Sequence, residues 1–405
     1  MTPARTRWGV VALLMLAGIF GSFQLGKLPA AIPSMRVELG LTLVAAAWIL
    51  SLLNAMGAAA GVGIGAVADW LGHRRAVVGG LVLAAVAGAA GGLATGETGI
   101  LVSRFFEGLG VVFVFIAVPT LIIRAVEPRH LRLALAIWGG YMPVGMAVMV
   151  VATPHLIGPF GWRGLWFVNA GLLAVFAAVM LGALRGLAPP PGTTRTTARL
   201  RSLGRDIAAT FRAGGPLLLG IAFAMHSANF IAVFAFLPTI LIEDLKVGAG
   251  AAAALTAAAI AMNAVGNVLA GLLLQRGVPR WLLLAVSNLS TGLFSIGVYA
   301  ETAAPEWRYA FCLLLSFVSG LLPASAFAGA PVHAPRPDLV ATTTGLIAQG
   351  ANIGNLLGPP AAAMVVVWAG GWHGTPWLIC SLAAVGLGVS VMLGALERRR
   401  GPEDR

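Results

Sequence analysis

Charge is scarce in this chain. Asp, Glu, Lys and Arg make up 10% of its 405 residues, against about 25% in an ordinary soluble domain. Carboxylates are the scarcer sign, 14 Asp and Glu against 26 Lys and Arg. Only two cysteines occur, Cys312 and Cys380, both within apolar runs, so no disulfide framework is indicated and the redox compartment stays open. The six histidines are scattered, without the Cys/His spacing that holds a metal. Neither a glycine-rich phosphate loop nor a Gly-x-Ser-x-Gly elbow is present. These absences argue against an enzyme and against an ATP-driven pump built from this chain alone, and they call for no metal and no cofactor. The net charge of +12 gathers into no contiguous basic stripe, so no nucleic-acid partner is expected.

What the chain has in abundance is apolar length: hydrophobic residues form 59% of it. A helix crosses a bilayer with roughly 20 mostly apolar residues. Twelve runs meet that length, at 8–33, 43–69, 76–94, 99–126, 133–159, 164–185, 214–242, 248–274, 281–300, 307–331, 340–369 and 375–396. Arginine sits in alternate connectors. One side would hold twenty of the 26 basic residues, among them Arg74, Arg75, Arg129, Arg276, Arg336 and Arg398. The other holds Arg36, Arg163, Lys246 and Arg308. Positive charge stays in the cytoplasm, so both termini are expected inside, in a multi-pass protein of a bacterial inner membrane. The first run is far longer than the roughly 7–15 residues of a signal-peptide core, and no convincing cleavage site follows it.

One long polar stretch interrupts the pattern, residues 186–213, containing Pro189-Pro190-Pro191-Gly192 and then Thr/Arg-rich sequence. It reads as a cytoplasmic linker between a bundle at 1–185 and a second at 214–405. Its arginines, from Arg195 to Arg212, could also touch anionic lipid headgroups. The halves resemble each other. Gly161-Trp162-Arg163-Gly164 is answered 210 residues later by Gly371-Trp372-His373-Gly374, and Gly140 by Gly350 at the same offset. Gly108 and Pro119 are answered by Gly320 and Pro331 at an offset of 212. A duplication explains the set. Two parallel repeats around a central axis are a transporter architecture, with the substrate expected between them near the midplane.

Between the second and third runs lies Gly65-Ala66-Val67-Ala68-Asp69-Trp70-Leu71-Gly72-His73-Arg74-Arg75. Asp69 at a helix end can accept from a neighbouring helix's terminal amides, Gly72 permits a tight reversal, and Arg74 and Arg75 anchor the face. This resembles the signature loop of the major facilitator superfamily, Gly-x-Leu-Ala-Asp-Arg-x-Gly-Arg-Lys, matching at Gly65, Asp69, Gly72 and Arg74. Trp70 and His73 replace two basic residues of that pattern. Arg104-Phe105-Phe106-Glu107-Gly108-Leu109-Gly110 is similar to the family's Arg-x-x-Gln-Gly-x-Gly. The second half's counterpart loop has Gln275 where the acid belongs, and the span-5 motif of drug/proton antiporters is absent. The overall style is also similar to bacterial cyanate and nitroimidazole permeases. The resemblance implies an all-α membrane fold, twelve transmembrane helices in two pseudo-symmetric six-helix bundles, with spans 1, 4, 7 and 10 lining a central cavity and the loop gating one side.

Ionisable groups inside a span cost roughly 2.5–3.5 kcal/mol each, so each is a site candidate. Span 1 puts Phe20, Gln24 and Lys27 at i, i+4 and i+7, one helical face. Lys27 could bind an anionic substrate, pair with Glu107, or reach outward to headgroups. On span 4, Arg104 and Glu107 have ion-pair spacing, either functional or only orienting helices. Arg104 matches the family's functional arginine, and Glu107 is the one carboxylate well inside a span, hence the candidate proton carrier. Span 7 offers His226, Asn229 and Phe230 on one face, for substrate contact or for packing. Tyr141 and Asn352 are further candidate substrate contacts, with interhelical hydrogen bonding as the alternative.

The expectation is a secondary active transporter, a permease or symporter, that moves a small organic anion by alternating access with proton coupling. Lys27 and Arg104 would meet the anion. Its partners would be the small-molecule substrate, protons and the lipid bilayer, and the chain would be a monomer. The rivals are an exporter of hydrophobic or cationic compounds and, in another class, a transporter-like sensor that moves nothing.

Overall fold

The computed structural model describes residues 6–127, 129–130, 134, 137–138, 140–186 and 195–399, and among these it is helical with no strand. Helices α1 (Trp8–Leu39), α2 (Leu43–Ser51), α3 (Ala55–Leu71), α4 (His73–Gly92), α5 (Glu97–Ala125) and α6 (Tyr141–Ala183) make up the first half. The amphipathic helix α7 (Arg195–Arg212) follows. Then come α8 (Gly215–Phe234), α9 (Leu237–Glu243), α10 (Ala249–Gln275), α11 (Arg280–Val298), α12 (Pro305–Ser319), α13 (Leu321–Ala328), α14 (Ala330–His333), α15 (Val340–Ala369) and α16 (Thr375–Arg399).

Among the described residues, eleven stretches are long and apolar enough to cross a membrane. Twelve were expected, and α6 accounts for the difference. It holds two helices joined at Gly161, whose φ of +64° and ψ of +176° are not helical and are rarely adopted by a residue with a Cβ. The fifth and sixth expected spans are therefore both present and meet directly at Gly161. The second run is broken instead: Thr42 caps α2 by accepting from the Ala45 N–H at 3.0 Å, and a 3₁₀ turn at Leu52–Asn54 then leads into α3. Trp70, Trp307, Trp368 and Trp377 stand exposed near helix ends, where an amphipathic indole suits the membrane–water boundary.

The chain divides into two compact units, Met1–Leu200 with Val247–Ala257, and Arg201–Lys246 with Ala258–Arg405. The expected linker is thus helical over α7, and the division falls inside that helix. Pro189–Gly192 lie outside the described residues. In the first unit α1 packs along α6, and α4 along α5 and α6. In the second, α8 packs along α15 and α16, and α11 along α16 and α12.

The internal repeat is written into the packing of each unit. A Cβ on Gly108 would lie 2.1 Å from the carbonyl oxygen of Leu53, and one on Gly320 would lie 2.1 Å from that of Asn263. Both halves therefore press a glycine of their fourth span onto backbone of their second. Trp162 and Trp372 are likewise both buried. The second half adds a stripe on α15: Gly350, Gly354 and Gly358 abut the carbonyls of Gly220, Ala224 and Ala228 on α8. Small residues let helix backbones meet in a setting where no hydrophobic effect drives them together.

Candidate functional site

Three ionisable side chains meet inside the first unit, each fully buried. Lys27 comes from the second half of α1, and Arg104 and Glu107 from the first half of α5. Lys27 Nζ donates to Glu107 Oε1 at 2.9 Å and to Gln24 Oε1 at 2.7 Å. Arg104 Nη1 donates to Glu107 Oε2 on the same helix. The other Arg104 donors find backbone: Nε reaches the Ile49 carbonyl at 3.2 Å, and Nη2 the Gln24 carbonyl at 2.9 Å. Helical carbonyls keep a second lone pair to offer, so neither acceptor need leave its helix.

Local sequence makes the cluster possible. The i, i+3 spacing of Arg104 and Glu107 aligns them on one face. Gly88 on α4 makes room, since a Cβ there would stand 3.1 Å from Glu107 Oε1. Gly108, immediately after Glu107, allows α5 close against Leu53 and so brings Ile49 within reach. The Lys27 ammonium also lies 4.2 Å from the Trp166 ring centroid of α6, a cation–π contact that strengthens where water is absent. Two cations face one carboxylate, leaving the sealed cluster with one net positive charge. Isolated charges do not persist in such surroundings; paired, hydrogen-bonded ones do. The cluster also retains spare capacity: Gln24 Nε2 and, nearby, Trp166 Nε1 and Asn169 Oδ1 are buried without a hydrogen-bond partner.

The structure thus brings Gln24, Lys27, Arg104 and Glu107 together, as the sequence led one to expect. Trp166 was missed as a member, although it stands two residues after the repeated Gly161–Gly164 segment. Phe20, one turn before Gln24, packs edge-on against Phe176 at 4.8 Å and against Phe23 at 5.4 Å. Tyr141 lies apart, stacked on Trp138 at 4.0 Å and tilted to Phe115 at 4.7 Å. In the second unit His226 is sandwiched between Phe223 and Phe230, with centroids at 5.8 and 6.1 Å. Asn229 beside it is 1% exposed, yet both of its amide atoms lack a partner. Asn352 donates to the Ala348 carbonyl of its own helix.

Of the loop residues, Gly65 and Asp69 fall on the last turns of α3, and their side chains lie outside those described. Gly72 turns the chain with φ of +83°, Arg74 Nη2 donates to the Leu181 carbonyl at 2.9 Å, and Arg75 is exposed. Two further clusters escaped sequence reasoning. Glu38 accepts from Trp162 Nε1 at 2.7 Å and Arg163 Nε at 3.1 Å, fastening the end of α1 to the bend of α6. Glu397 Oε1 on α16 meets both Arg280 Nη1 and the buried His333 Nε2, each at 3.0 Å. Neither acid has a local motif; only the fold brings the partners together. Among the described residues no group of three His, Cys, Asp or Glu could hold a metal.

The described helices thus form two repeated units that span a membrane, with an ionic cluster sealed within the first. Residues 14–359 match the family model of the Major Facilitator Superfamily, and the chain belongs to that family. It is 28% identical over 240 residues to a cephamycin export protein of Amycolatopsis lactamdurans, covering 52% of this chain and 48% of the relative. It is 24% identical over 237 residues to a putative niacin/nicotinamide transporter of Bacillus subtilis (57% and 58%). It is 27% identical over 151 residues to a tetracenomycin C resistance and export protein of Streptomyces glaucescens (37% and 28%). The chain thus spans about half the length of the first of these relatives. A solved bacterial homologue of the human lysosomal transporter Spinster, inward-facing and occupied, superposes with a TM-score of 0.78. That match covers 99% of this chain and 98% of the other at 17% identity, a likeness of fold alone.

Proposed function

We propose that this protein is a proton-coupled secondary transporter of a small organic anion, working by alternating access, with Glu107 as the proton carrier. The observation that carries the reading is the sealed cluster in which one carboxylate joins two cations. Protonating Glu107 would raise the cluster from one net positive charge to two and free Lys27 from its strongest partner. An anion arriving with the proton would restore the balance, and that mutual dependence is what coupling between two ligands means. Lys27 and Arg104 would then meet the anion. Phe20, Tyr141, His226, Asn229, Phe230 and Asn352 are assigned as supporting substrate contacts, and Asn229 leads them because its buried amide has both donor and acceptor to offer. Gly65, Asp69, Gly72, Arg74 and Arg75 are assigned to gating. The distribution of arginine supports a bacterial inner-membrane location with both termini cytoplasmic, and a monomer is the simplest form of the machine.

The test is transport by purified protein in liposomes. Glu107→Gln should leave substrate exchange running while abolishing accumulation driven by a proton gradient; accumulation that persists removes Glu107 from the role. Lys27→Ala should abolish uptake of the anion. Export is the second reading, favoured by the two exporters among the relatives. There Glu107 would face the substrate and loss of Lys27 would matter little. Absence of any flux across a broad substrate panel would point instead to a sensor.

A further inference from the structure

The helix α7 (Arg195–Arg212) has no part in the proposed site, yet it carries five arginines and one acid, Asp206. Two tethers fix which way it faces. Asp206 Oδ1 accepts from Arg336 Nη2 at 2.9 Å, and Thr210 on the same side is 1% exposed. At its end the chain turns sharply through Ala213 and Gly214, with φ of +73° at Gly214, into the membrane-spanning α8. The opposite side is open: Arg205, Phe211 and Arg212 are exposed, Phe211 by 43%.

Three residues lie between Phe211 and Gly215, where the span begins, so the Cα of Phe211 lies within about 15 Å of that point. An aromatic ring among arginines, held beside the start of a span, fits a bilayer surface: the ring enters the headgroup–acyl boundary and the guanidiniums meet phosphate. Arginine's forked donors suit phosphate oxygens better than a point charge does.

We propose that the open face of α7 is a binding surface for anionic phospholipid headgroups, with Arg205 and Arg212 as the phosphate contacts and Phe211 as the apolar anchor. It predicts a helix whose stability depends on lipid charge, independently of what the protein carries or in which direction.

Hydrogen exchange of full-length protein in nanodiscs tests this. Amides of residues 204–212 should exchange about tenfold more slowly when phosphatidylglycerol is added to phosphatidylcholine, and high salt should remove the difference. The double variant R205Q/R212Q should lose the protection, while the double variant R205K/R212K, which keeps the charge, should retain most of it. Exchange in the spans serves as the folding control. Equal exchange in the two lipids, or equal protection in the glutamine variant, overturns the proposal. Protection by inorganic phosphate in phosphatidylcholine discs would overturn it in favour of a soluble-anion site.

Discussion

Glu107→Gln nearly preserves shape but should destabilise the protein far more than its size suggests. The carboxylate is the single anion among three sealed charges, holding Lys27 at 2.9 Å and Arg104 on its other oxygen. Glutamine in its place leaves two cations facing each other out of water. Removing one partner of a buried pair costs about 3–5 kcal/mol. Lys27→Met removes a cation instead and leaves Arg104 and Glu107 mutually neutral. Its cost should be only about 1–2 kcal/mol, for the lost bond to Gln24 Oε1 and the Trp166 contact. Combining both changes returns the cluster to a single cation, Arg104, with its two carbonyl acceptors still in place. The double variant should therefore lose less than the sum of the singles, by about 2 kcal/mol or more. Thermal unfolding of the four detergent-purified proteins reads this cycle. If Glu107→Gln melts with the wild type, or if the two losses simply add, the three charges are not a coupled unit.

Five other changes probe the packing and the ionic contacts. Gly108→Ala and Gly320→Ala each drive a methyl into a backbone carbonyl and should cost at least about 1–3 kcal/mol, whereas Gly79→Ala, which meets open space, should be neutral or slightly stabilising; melting temperatures rank them. Glu397→Ala should strand Arg280 and the buried His333 and lower stability by about 1–3 kcal/mol, again seen in thermal unfolding. Glu38→Gln weakens a half-exposed bond to Arg163 and should cost no more than about 1 kcal/mol.

Much of this molecule was legible in its sequence because a bilayer imposes simple rules. Span length, arginine asymmetry and the scarcity of charge located the helices and isolated Lys27, Arg104 and Glu107. The i, i+3 spacing on α5 anticipated the Arg104–Glu107 pair, and the offset of 212 between Gly108 and Gly320 anticipated their identical packing. What stayed hidden depends on where the backbone deviates from regular helix. Apolar length cannot show that the fifth and sixth spans meet directly at Gly161, or that Leu52–Asn54 tighten into a 3₁₀ turn. The helicity of residues 195–212 was masked by the prolines just before them. Trp166, Glu38 and Glu397 join partners 64 or more residues away, Lys27, Trp162 and His333 among them, and no local pattern registers such meetings.

The glycine stripe of α15 has a mechanical consequence. With Gly350, Gly354 and Gly358 each set against a carbonyl of α8, the two helices mesh like a toothed joint along most of their shared length. Neither can slide or roll by even half a turn without driving a side chain into the other's peptide planes. Whatever strokes the second half performs, α8 and α15 must travel as one rod, carrying His226, Asn229 and Asn352 with them as a fixed constellation.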